Sequence, residues 1–405
     1  MSTVTEVTKP PVLNETYAAK MDALNHLISH QNAAIDLLAS DKRAEIVTNV
    51  QGVAILAKNG ELLEVMDYGD EIHPEWVDGE THYNPAMNLC HESDEELEDS
   101  ETIHGCFFEW DKTIPYGMPF DPAEAIFESD TELPAGTYYF TIANDSWGNN
   151  NGKNIQFTLT DALPAGYQIR KSVGYNGLVT SGTLDIYSSG ASLTKEYSVT
   201  PSEGTSGTFL GTSDGSGNIN HWHRVALGHN RWKTSNMRQF LNATGEKGTW
   251  WTKQEKWDVK PSQADTIDGF LHGYTEDVYR YFKPIKMVTV ACSIDNNVED
   301  VTYDRVFLSS LEQMYCVPQF PGKEGEYWEY YKRLLGRTSP APTSQTYARL
   351  IKYALNAPTS ARYCFRRSAN SYYAYSVWFV TTSGNVNTNY ASSANRCAPS
   401  VFLSE

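Results

Sequence analysis

The sequence predicts a mixed α+β protein with more than one domain. Its 405 residues are enough to build two or three hydrophobic cores. Residues 16–45 carry apolar side chains at helical spacing, whereas residues 131–205 carry short apolar stretches divided by polar turns, a pattern typical of strands. Residues 221–405 contain both patterns, so helices and strands are expected to share the last domain.

Residues 1–45 are predicted to form a polar tail followed by an oligomerisation helix. In residues 16–45 apolar side chains recur at alternating spacings of four and three, the pattern of a coiled-coil seam, with Gln31 as a polar break. Three heptads are short for an independent coil, so the alternative is an amphipathic helix that packs on its own domain. We expect self-association.

Residues 46–130 are predicted to form a mixed α/β segment that begins with a hairpin. Residues 52–56 and 61–66 are apolar stretches of strand character. Between them lies Asn59-Gly60, the dipeptide that favours two-residue hairpin turns. Beyond this hairpin the segment shows no clear period.

Residues 131–205 are predicted to form a β-sandwich-like domain. A short helix at residues 120–127, with Asp121 as its N-cap, is expected to lead into it. The strand patterns of this domain are residues 137–142, 155–159, 167–169, 182–187 and 195–199. Residues 202–220 are rich in Gly and Ser and are interpreted as a linker or long turn. The last domain is therefore expected to span residues 206–405.

Within the last domain, two helices are predicted. Residues 235–242 form one of them, with Ser235 as its N-cap, and residues 345–355 form an amphipathic second one. The strand patterns are residues 288–291, 306–308, 377–380 and 401–403.

The acidic balance of the chain limits its partners. The formal net charge is −18, which disfavours both nucleic acid and anionic membrane surfaces. Part of the excess lies in residues 91–101, which are expected to be a solvated loop rather than a cation site. No apolar signal region or long apolar stretch is present, so neither standard export nor membrane insertion is expected.

No cofactor, metal or catalytic residue is predicted. The cysteines are expected to be free thiols, because they include no C-x-x-C pair and no export signal accompanies them. A bridge between Cys364 and Cys397 is the less favoured alternative. His221, His223 and His229 are the only candidates for a zinc site, but a further ligand with firm spacing is missing.

The C-terminal segment has an unusual composition. Residues 368–395 contain no charged side chain and are dominated by Tyr, Ser, Asn, Ala and Thr. Residues 377–380 have strand character, and residues 382–385 form a turn in which Gly384 is free to take positive φ. Antibody paratopes favour the same residue types, because Tyr gives a large contact area at low entropic cost and Ser and Asn adapt their hydrogen bonds. A folded recognition surface is therefore predicted here.

This segment resembles the variable repeat of proteins diversified by diversity-generating retroelements. The framework R-S-A-N-S-x-x-A-x-x-V-W-x-V-x-T-S-G-N-V-x-x-x-x-A-x-S-x-x-R-C-A-P is matched from Arg367 to Pro399. The open positions carry residues that adenine changes can produce from an Asn codon. The resemblance implies that the last domain has a C-type lectin fold of the formylglycine-generating-enzyme type, with a variable region at residues 363–397. Phage tropism determinants are the best-known members of this group.

The resemblance also implies a function. We expect a hypervariable receptor-binding protein, not an enzyme, at a phage tail fibre tip in the virion. Its expected partners are a host cell-surface protein or glycan, other phage tail proteins and copies of itself, with a homotrimer favoured. The predicted ligand-binding residues are Tyr372, Tyr373, Tyr375, Ser376, Phe379, Thr381, Asn387, Thr388, Asn389, Tyr390, Ser392, Ser393 and Asn395.

Two alternatives remain on the same fold. A bacterial surface adhesin would use the same kind of surface, and genomic neighbours would separate it from a phage protein. A formylglycine-generating-enzyme-like oxidase would use a reactive cysteine pair, for which Cys364 and Cys397 are the candidates, although no base neighbours them in the sequence.

Overall fold

The computed structural model describes residues 49–142, 152–172, 182–188, 194–212 and 222–405. The predicted coiled-coil helix, residues 16–45, lies outside the described residues. Within them the protein is mixed α+β with more strand than helix, which confirms the predicted class. Over the same ranges, no helix combines the length and the apolar character that crossing a bilayer requires.

The helices in the described part of the chain are short. The α-helices are α1 Val50–Lys58, α2 Trp222–Leu227, α3 Asn236–Leu241, α4 Glu276–Tyr279 and α5 Glu329–Leu335. Single 3₁₀ turns occupy Leu62–Glu64, Trp232–Thr234, Ser262–Asp265, Phe270–Gly273, Ser293–Asp295 and Ala348–Leu350.

The strands are more numerous and run through the whole described chain. Those of the N-terminal half are β1 Glu71–Ile72, β2 Trp76–Asp78, β3 Thr81–Tyr83, β4 Met87–Glu96, β5 Thr102–Trp110, β6 Phe127–Glu128, β7 Gly136–Ile142, β8 Lys153–Leu159, β9 Gln168–Lys171, β10 Leu184–Tyr187, β11 Lys195–Val199, β12 Ser202–Glu203 and β13 Thr208–Thr212. Those of the C-terminal half are β14 Ile285–Val290, β15 Glu299–Asp304, β16 Val306–Phe307, β17 Lys352–Ala354, β18 Ala357–Arg362, β19 Cys364–Ala369, β20 Ser376–Val380, β21 Val386–Tyr390, β22 Arg396–Cys397 and β23 Ser400–Leu403.

A five-stranded antiparallel sheet joins the two ends of the described chain. Its strand order is β1-β4-β5-β23-β16, so the C-terminal strand β23 lies between an N-terminal strand and β16. The strand predicted at residues 401–403 is confirmed as β23. On this sheet Phe107 packs edge-on against Phe402, with ring centroids 5.0 Å apart, inside the larger of the hydrophobic cores.

The acidic run is part of this sheet, not a loop. Strand β4 continues through Glu96, and its register with β5 places Asp94 opposite His104. The His104 ring contacts carboxylate oxygens of Asp94 at 2.7 Å and Glu92 at 3.1 Å. Residues 91–96 therefore belong to strand β4, and His104 on the neighbouring strand contacts two of their carboxylates. The prediction of a solvated loop over residues 91–101 was wrong for residues 91–96.

Two four-stranded sheets form the sandwich-like region. Their strand orders are β11-β10-β9-β6 and β12-β8-β7-β13, and a second core joins Phe140 and Phe157 of one sheet to Ile169 and Ile186 of the other. All five predicted strands are confirmed: residues 195–199 with the same bounds as β11, and the other four with one or both ends shifted. The predicted linker is wrong where it overlaps β12 and β13, because β13 pairs in parallel with β7. Residues 213–220 of that linker lie outside the described residues.

The hairpin predicted around Asn59-Gly60 is a helix and its terminus. The Asn49 side chain caps α1 by accepting the Gly52 N–H at 2.6 Å. At the other end Gly60 has φ +71°, and Glu61 N–H donates to the Leu56 carbonyl at 2.9 Å, as in a Schellman motif. The left-handed glycine that would suit a hairpin turn therefore ends a helix instead.

Two further helix predictions fail, and one holds. Residues 120–127 are not helical, and the Asp121 carboxylate accepts the backbone N–H of Asn236 at 3.0 Å instead of capping its own segment. Residues 345–355 form a 3₁₀ turn and strand β17, which pairs with β18. Ser235 is confirmed as the N-cap of α3, because its Oγ accepts the Arg238 N–H at 3.2 Å.

Candidate binding surface

The C-terminal segment is built on a sheet with the order β21-β20-β19-β22. Strand β20 lies between two neighbours, and all five of its residues are buried. Strand β21 lies at the edge and exposes Asn387 and Tyr390. Five positions of the matched framework are buried in this sheet and the turn that follows β20: Val377, Trp378, Val380, Gly384 and Val386.

Strand β19 carries a buried ion network at the base of this sheet. Arg366 is fully buried, and its Nη1 lies 3.2 Å from Oε2 of Glu109 on β5. Lys352 Nζ lies 3.0 Å from the other Glu109 oxygen, and Ser309 and Tyr331 donate hydrogen bonds to the same carboxylate. Burial raises the pKa of Glu109, but the two cations and the hydrogen bonds from Ser309 and Tyr331 together lower this pKa to about 2. The network therefore ties β19 to the central sheet.

The next residue, Arg367, ties β19 to a different part of the fold. It is buried and donates to the Gln313 side chain and to the backbone carbonyls of Leu308 and Glu324. Ser368 donates to the Glu324 carboxylate, which also accepts the Val290 N–H at 3.1 Å. Successive residues of a strand point to opposite faces, so the two arginines reach different partners.

A single asparagine holds the loop that follows β19. Asn230 is fully buried, and its Nδ2 lies 3.3 Å from the Asn370 carbonyl and 2.8 Å from the carbonyls of Tyr373 and Ser376. Within the loop, the Asn370 side chain accepts the N–H groups of Tyr372 at 2.9 Å and Tyr373 at 3.1 Å. The backbone of the loop is thus fixed by buried polar contacts, while the Tyr372 and Tyr373 side chains are exposed.

Three tyrosines of the segment are exposed. Tyr372 is 71% exposed, Tyr373 42% and Tyr390 37%. The Tyr375 ring lies between two of them, with ring centroids 5.5 Å from Tyr373 and 6.0 Å from Tyr390. The exposed rings therefore rest on a buried one, which limits their freedom. We call Tyr372, Tyr373 and Tyr390 the tyrosine surface. Asn387 is also exposed, but the alternation of β21 places it on the face opposite Tyr390.

The structure divides the other predicted ligand-binding residues. Partly exposed positions lie around the tyrosine surface: Thr381, Thr388, Asn389, Ser392 and Ser393. Tyr375, Ser376, Phe379 and Asn395 are buried, so in this structure their side chains do not lie on the surface that is predicted to bind a ligand. Tyr375 supports the neighbouring rings, and Phe379 packs against Tyr363 with centroids 5.5 Å apart. Composition alone does not separate these roles, because both groups share residue types.

Sequence analysis missed one segment that borders the surface. Ser293 N–H donates to the Ser371 carbonyl at 2.8 Å, which joins the turn after β14 to the loop bearing Tyr372. In this turn Ile294 is 58% exposed and Val298 is 44% exposed. No motif marks these residues, since only the long-range contact places them beside the tyrosines.

Residues 193–403, just over half of the chain, match a family described as a domain of unknown function, DUF6273. The chain belongs to this family. No curated protein and no solved structure matches the chain. The DUF6273 region contains the whole tyrosine surface and both buried arginines, whereas Glu109, the partner of Arg366, lies outside the matched residues.

A cluster of buried carboxyl groups lies next to residues 391–392 of the DUF6273 region. Asp121, a member of the cluster, donates its backbone N–H to the Ala391 carbonyl at 3.1 Å. One oxygen each from Asp121, Glu124 and Asp258 lies within 4.8 Å of the others. Burial raises the pKa of Glu124 to about 8 and that of Asp258 to about 6, and holds that of Asp121 well above its usual range.

A second grouping in this cluster has a ligand set that suits a metal, but a guanidinium lies within it. Glu124, His229 and Glu255 bring one ligand atom each within 4.8 Å of one another. Arg224 Nη1 lies 3.1 Å from His229 Nδ1 and 3.2 Å from Glu255 Oε2, which is where a cation would bind. The other His229 nitrogen lies 2.9 Å from Asp295. Of the histidines considered for zinc, His221 lies outside the described residues, and only the backbone of His223 is described.

The cysteines of the DUF6273 region are buried free thiols. All six cysteines of the chain are free and buried. Cys364 and Cys397 lie on adjacent strands, where the pairing of β19 with β22 sets Phe365 opposite Cys397. Burial raises the pKa of both thiols, and that of Cys397 rises well above its usual range. The nucleophilic thiolate is therefore disfavoured at both positions.

Proposed function

We propose that this protein is a binding protein that recognises its target through the tyrosine surface. The observation that carries this proposal is that exposed tyrosines lie on a loop whose backbone is fixed by buried hydrogen bonds. The surrounding segment, residues 368–395, has no charged side chain. Large aromatic side chains on a rigid frame lose little entropy on binding, and such residues dominate interface energies.

The resemblance to retroelement-diversified proteins extends the proposal to a C-type lectin fold and to a receptor-binding role at a phage tail fibre tip. The target would then be a host cell-surface protein or glycan, and oligomerisation through residues 16–45 would multiply weak contacts. Display on a bacterial surface as an adhesin would use the same surface. Binding is favoured over oxidase chemistry because burial keeps Cys364 and Cys397 in the thiol form.

The test is binding of fluorescently labelled full-length protein to a panel of bacterial cells, measured by flow cytometry. The double variant Tyr372→Ala/Tyr390→Ala is expected to lose about tenfold or more in apparent affinity, since central aromatic residues are the usual hot spots. Tyr353→Ala is the matched control, because Tyr353 is 39% exposed on β17 and lies outside the proposed surface. Equal loss in both variants, or unchanged binding by the double variant, contradicts the proposal.

A further inference from the structure

A cavity of about 530 Å³ opens between the second half of β4, strand β14 and the loop before α5. None of the thirteen predicted ligand-binding residues lines it. Part of its wall is apolar, since Phe107, Met287 and Val288 line it and Val288 is partly exposed. Such a wall suits the aliphatic stem of an amphipathic side chain.

The cations that line the cavity already have partners. Lys286 Nζ lies 2.9 Å from Glu96, and Lys323 Nζ lies 2.7 Å from Glu299. Arg367 donates to side-chain and backbone oxygens. These contacts leave no lysine or arginine in the lining without an acceptor.

Two carboxylates in the lining, Glu95 and Glu326, form no ion pair with a lysine or arginine of the described residues. Glu95 accepts a hydrogen bond from Ser93 at 2.7 Å, and in the described part of the chain it forms no ion pair with lysine or arginine. Glu326 is exposed at the mouth, where its oxygen lies 3.6 Å from His91 Nε2. Negative charge is therefore in excess at the cavity, on a chain whose net charge of −18 attracts cations.

We propose that this cavity binds an organic cation, an alkylammonium or alkylguanidinium group of the size of a lysine or arginine side chain. Glu95 and Glu326 supply the counter-charge, and the apolar wall at Val288 packs along the alkyl stem. Both a free polyamine and a lysine of a partner protein present this chemistry. The site is independent of the tyrosine surface.

The protonation of Glu95 gives the proposed site a pH signature. Burial raises the pKa of Glu95 to about 7, Glu326 and Asp94 add to this, and Arg367 opposes it. Burial lowers the pKa of His91, so this ring adds little positive charge above neutral pH. A cation prefers the ionised carboxylate, and the ionised fraction of a group with a pKa of about 7 rises about tenfold between pH 6 and pH 8. Affinity should rise by a similar factor.

The experiment uses the full-length protein and isothermal titration calorimetry with n-butylammonium and n-butylguanidinium, with n-butanol as the neutral probe. We expect both cations to bind with millimolar affinity or better at pH 8, and n-butanol not to bind. Glu95→Gln should weaken cation binding about tenfold or more, and Glu326→Gln, whose exposed position tolerates substitution, should weaken it about threefold. Glu80→Gln is the matched control, because Glu80 is exposed and does not line the cavity.

Two outcomes overturn the proposal: no binding of either cation at pH 8, or binding that neither Glu95→Gln nor Glu326→Gln changes relative to Glu80→Gln. When binding follows the expected pattern, spermidine and an end-blocked Gly-Gly-Lys-Gly-Gly peptide separate the two sources. Tighter binding of spermidine supports a free polyamine, and tighter binding of the peptide supports a partner protein.

Discussion

Strand β19 and the loop that follows it differ in where their side chains lie: those of the strand are buried, and the loop exposes two tyrosines. Arg366 is fully buried in an ion network with Glu109, while Tyr372, six residues later, is 71% exposed. The strand is fixed through charged side chains, whereas the loop is fixed through its backbone by Asn230. The comparison indicates that stability lies in β19 and beneath the loop, and that the exposed tyrosines contribute little to it.

The largest effect is expected from Arg366→Met. Removing Arg366 breaks a buried ion pair and the hydrogen bond to Ser309, and leaves Lys352 as the remaining cation on Glu109, which costs about 3–5 kcal/mol of unfolding free energy. Arg333→Met is the control, because Arg333 forms a half-exposed ion pair with Asp67, and its loss should cost about 1 kcal/mol or less. Urea unfolding of both variants measures the difference, and equal costs would show that the β19 network does not stabilise the fold.

A pH dependence is expected from the carboxyl cluster beneath residues 391–392. Burial raises the pKa of Glu124 to about 8 in the folded chain, above its ordinary value of 4.5. The folded state thus holds a proton that the unfolded state releases, so this contribution is present below about pH 4.5 and is lost as pH rises toward pH 8.

Glu124→Gln should therefore reduce the loss of stability between pH 5 and pH 9 by on the order of 3 kcal/mol. Urea unfolding across this range is the measurement. Glu132→Gln, at an exposed position, should leave the decline unchanged. A wild-type protein whose stability is flat over this range would rule out the buried, protonated cluster.

A smaller effect is expected from Gly228→Ala. Gly228 has φ +81°, and a Cβ there would lie 2.2 Å from the Asp121 carbonyl oxygen and 2.9 Å from the Ser392 nitrogen. Gly79 has φ +60° with nothing within 4 Å of an added Cβ, so Gly79→Ala isolates the backbone strain alone. We expect Gly228→Ala to cost about 2 kcal/mol more than Gly79→Ala in thermal unfolding. Equal melting temperatures would mean that residues 391–392 adjust freely.

The sequence predicted local features well where the deciding interaction is local. Ser235 caps α3 because its Oγ accepts an N–H three residues on. The alternation of β7 and β8 was readable because one face of each strand is buried. By contrast, Asn59-Gly60 favours a hairpin and a helix C-terminus alike, and the Asn49 cap decides between them.

The candidate surface was predictable in composition but not in orientation. Tyr372 and Tyr375 are three residues apart in the same loop and chemically identical, yet the first is exposed and the second is buried. Arg366 and Glu109 are 257 residues apart in the chain, so no local pattern links them. Long-range contacts, which the sequence does not display, separate scaffold from surface.

The most direct test of this account compares two sets of substitutions by equilibrium urea unfolding. The exposed set, Tyr372→Ser, Asn387→Ser and Tyr390→Ser combined, should change the unfolding free energy by about 1 kcal/mol or less. The buried pair, Tyr375→Ser and Phe379→Ser combined, should cost more than about 3 kcal/mol. A loss in the exposed set as large as that in the buried pair would contradict the claim that a stable scaffold carries a replaceable surface.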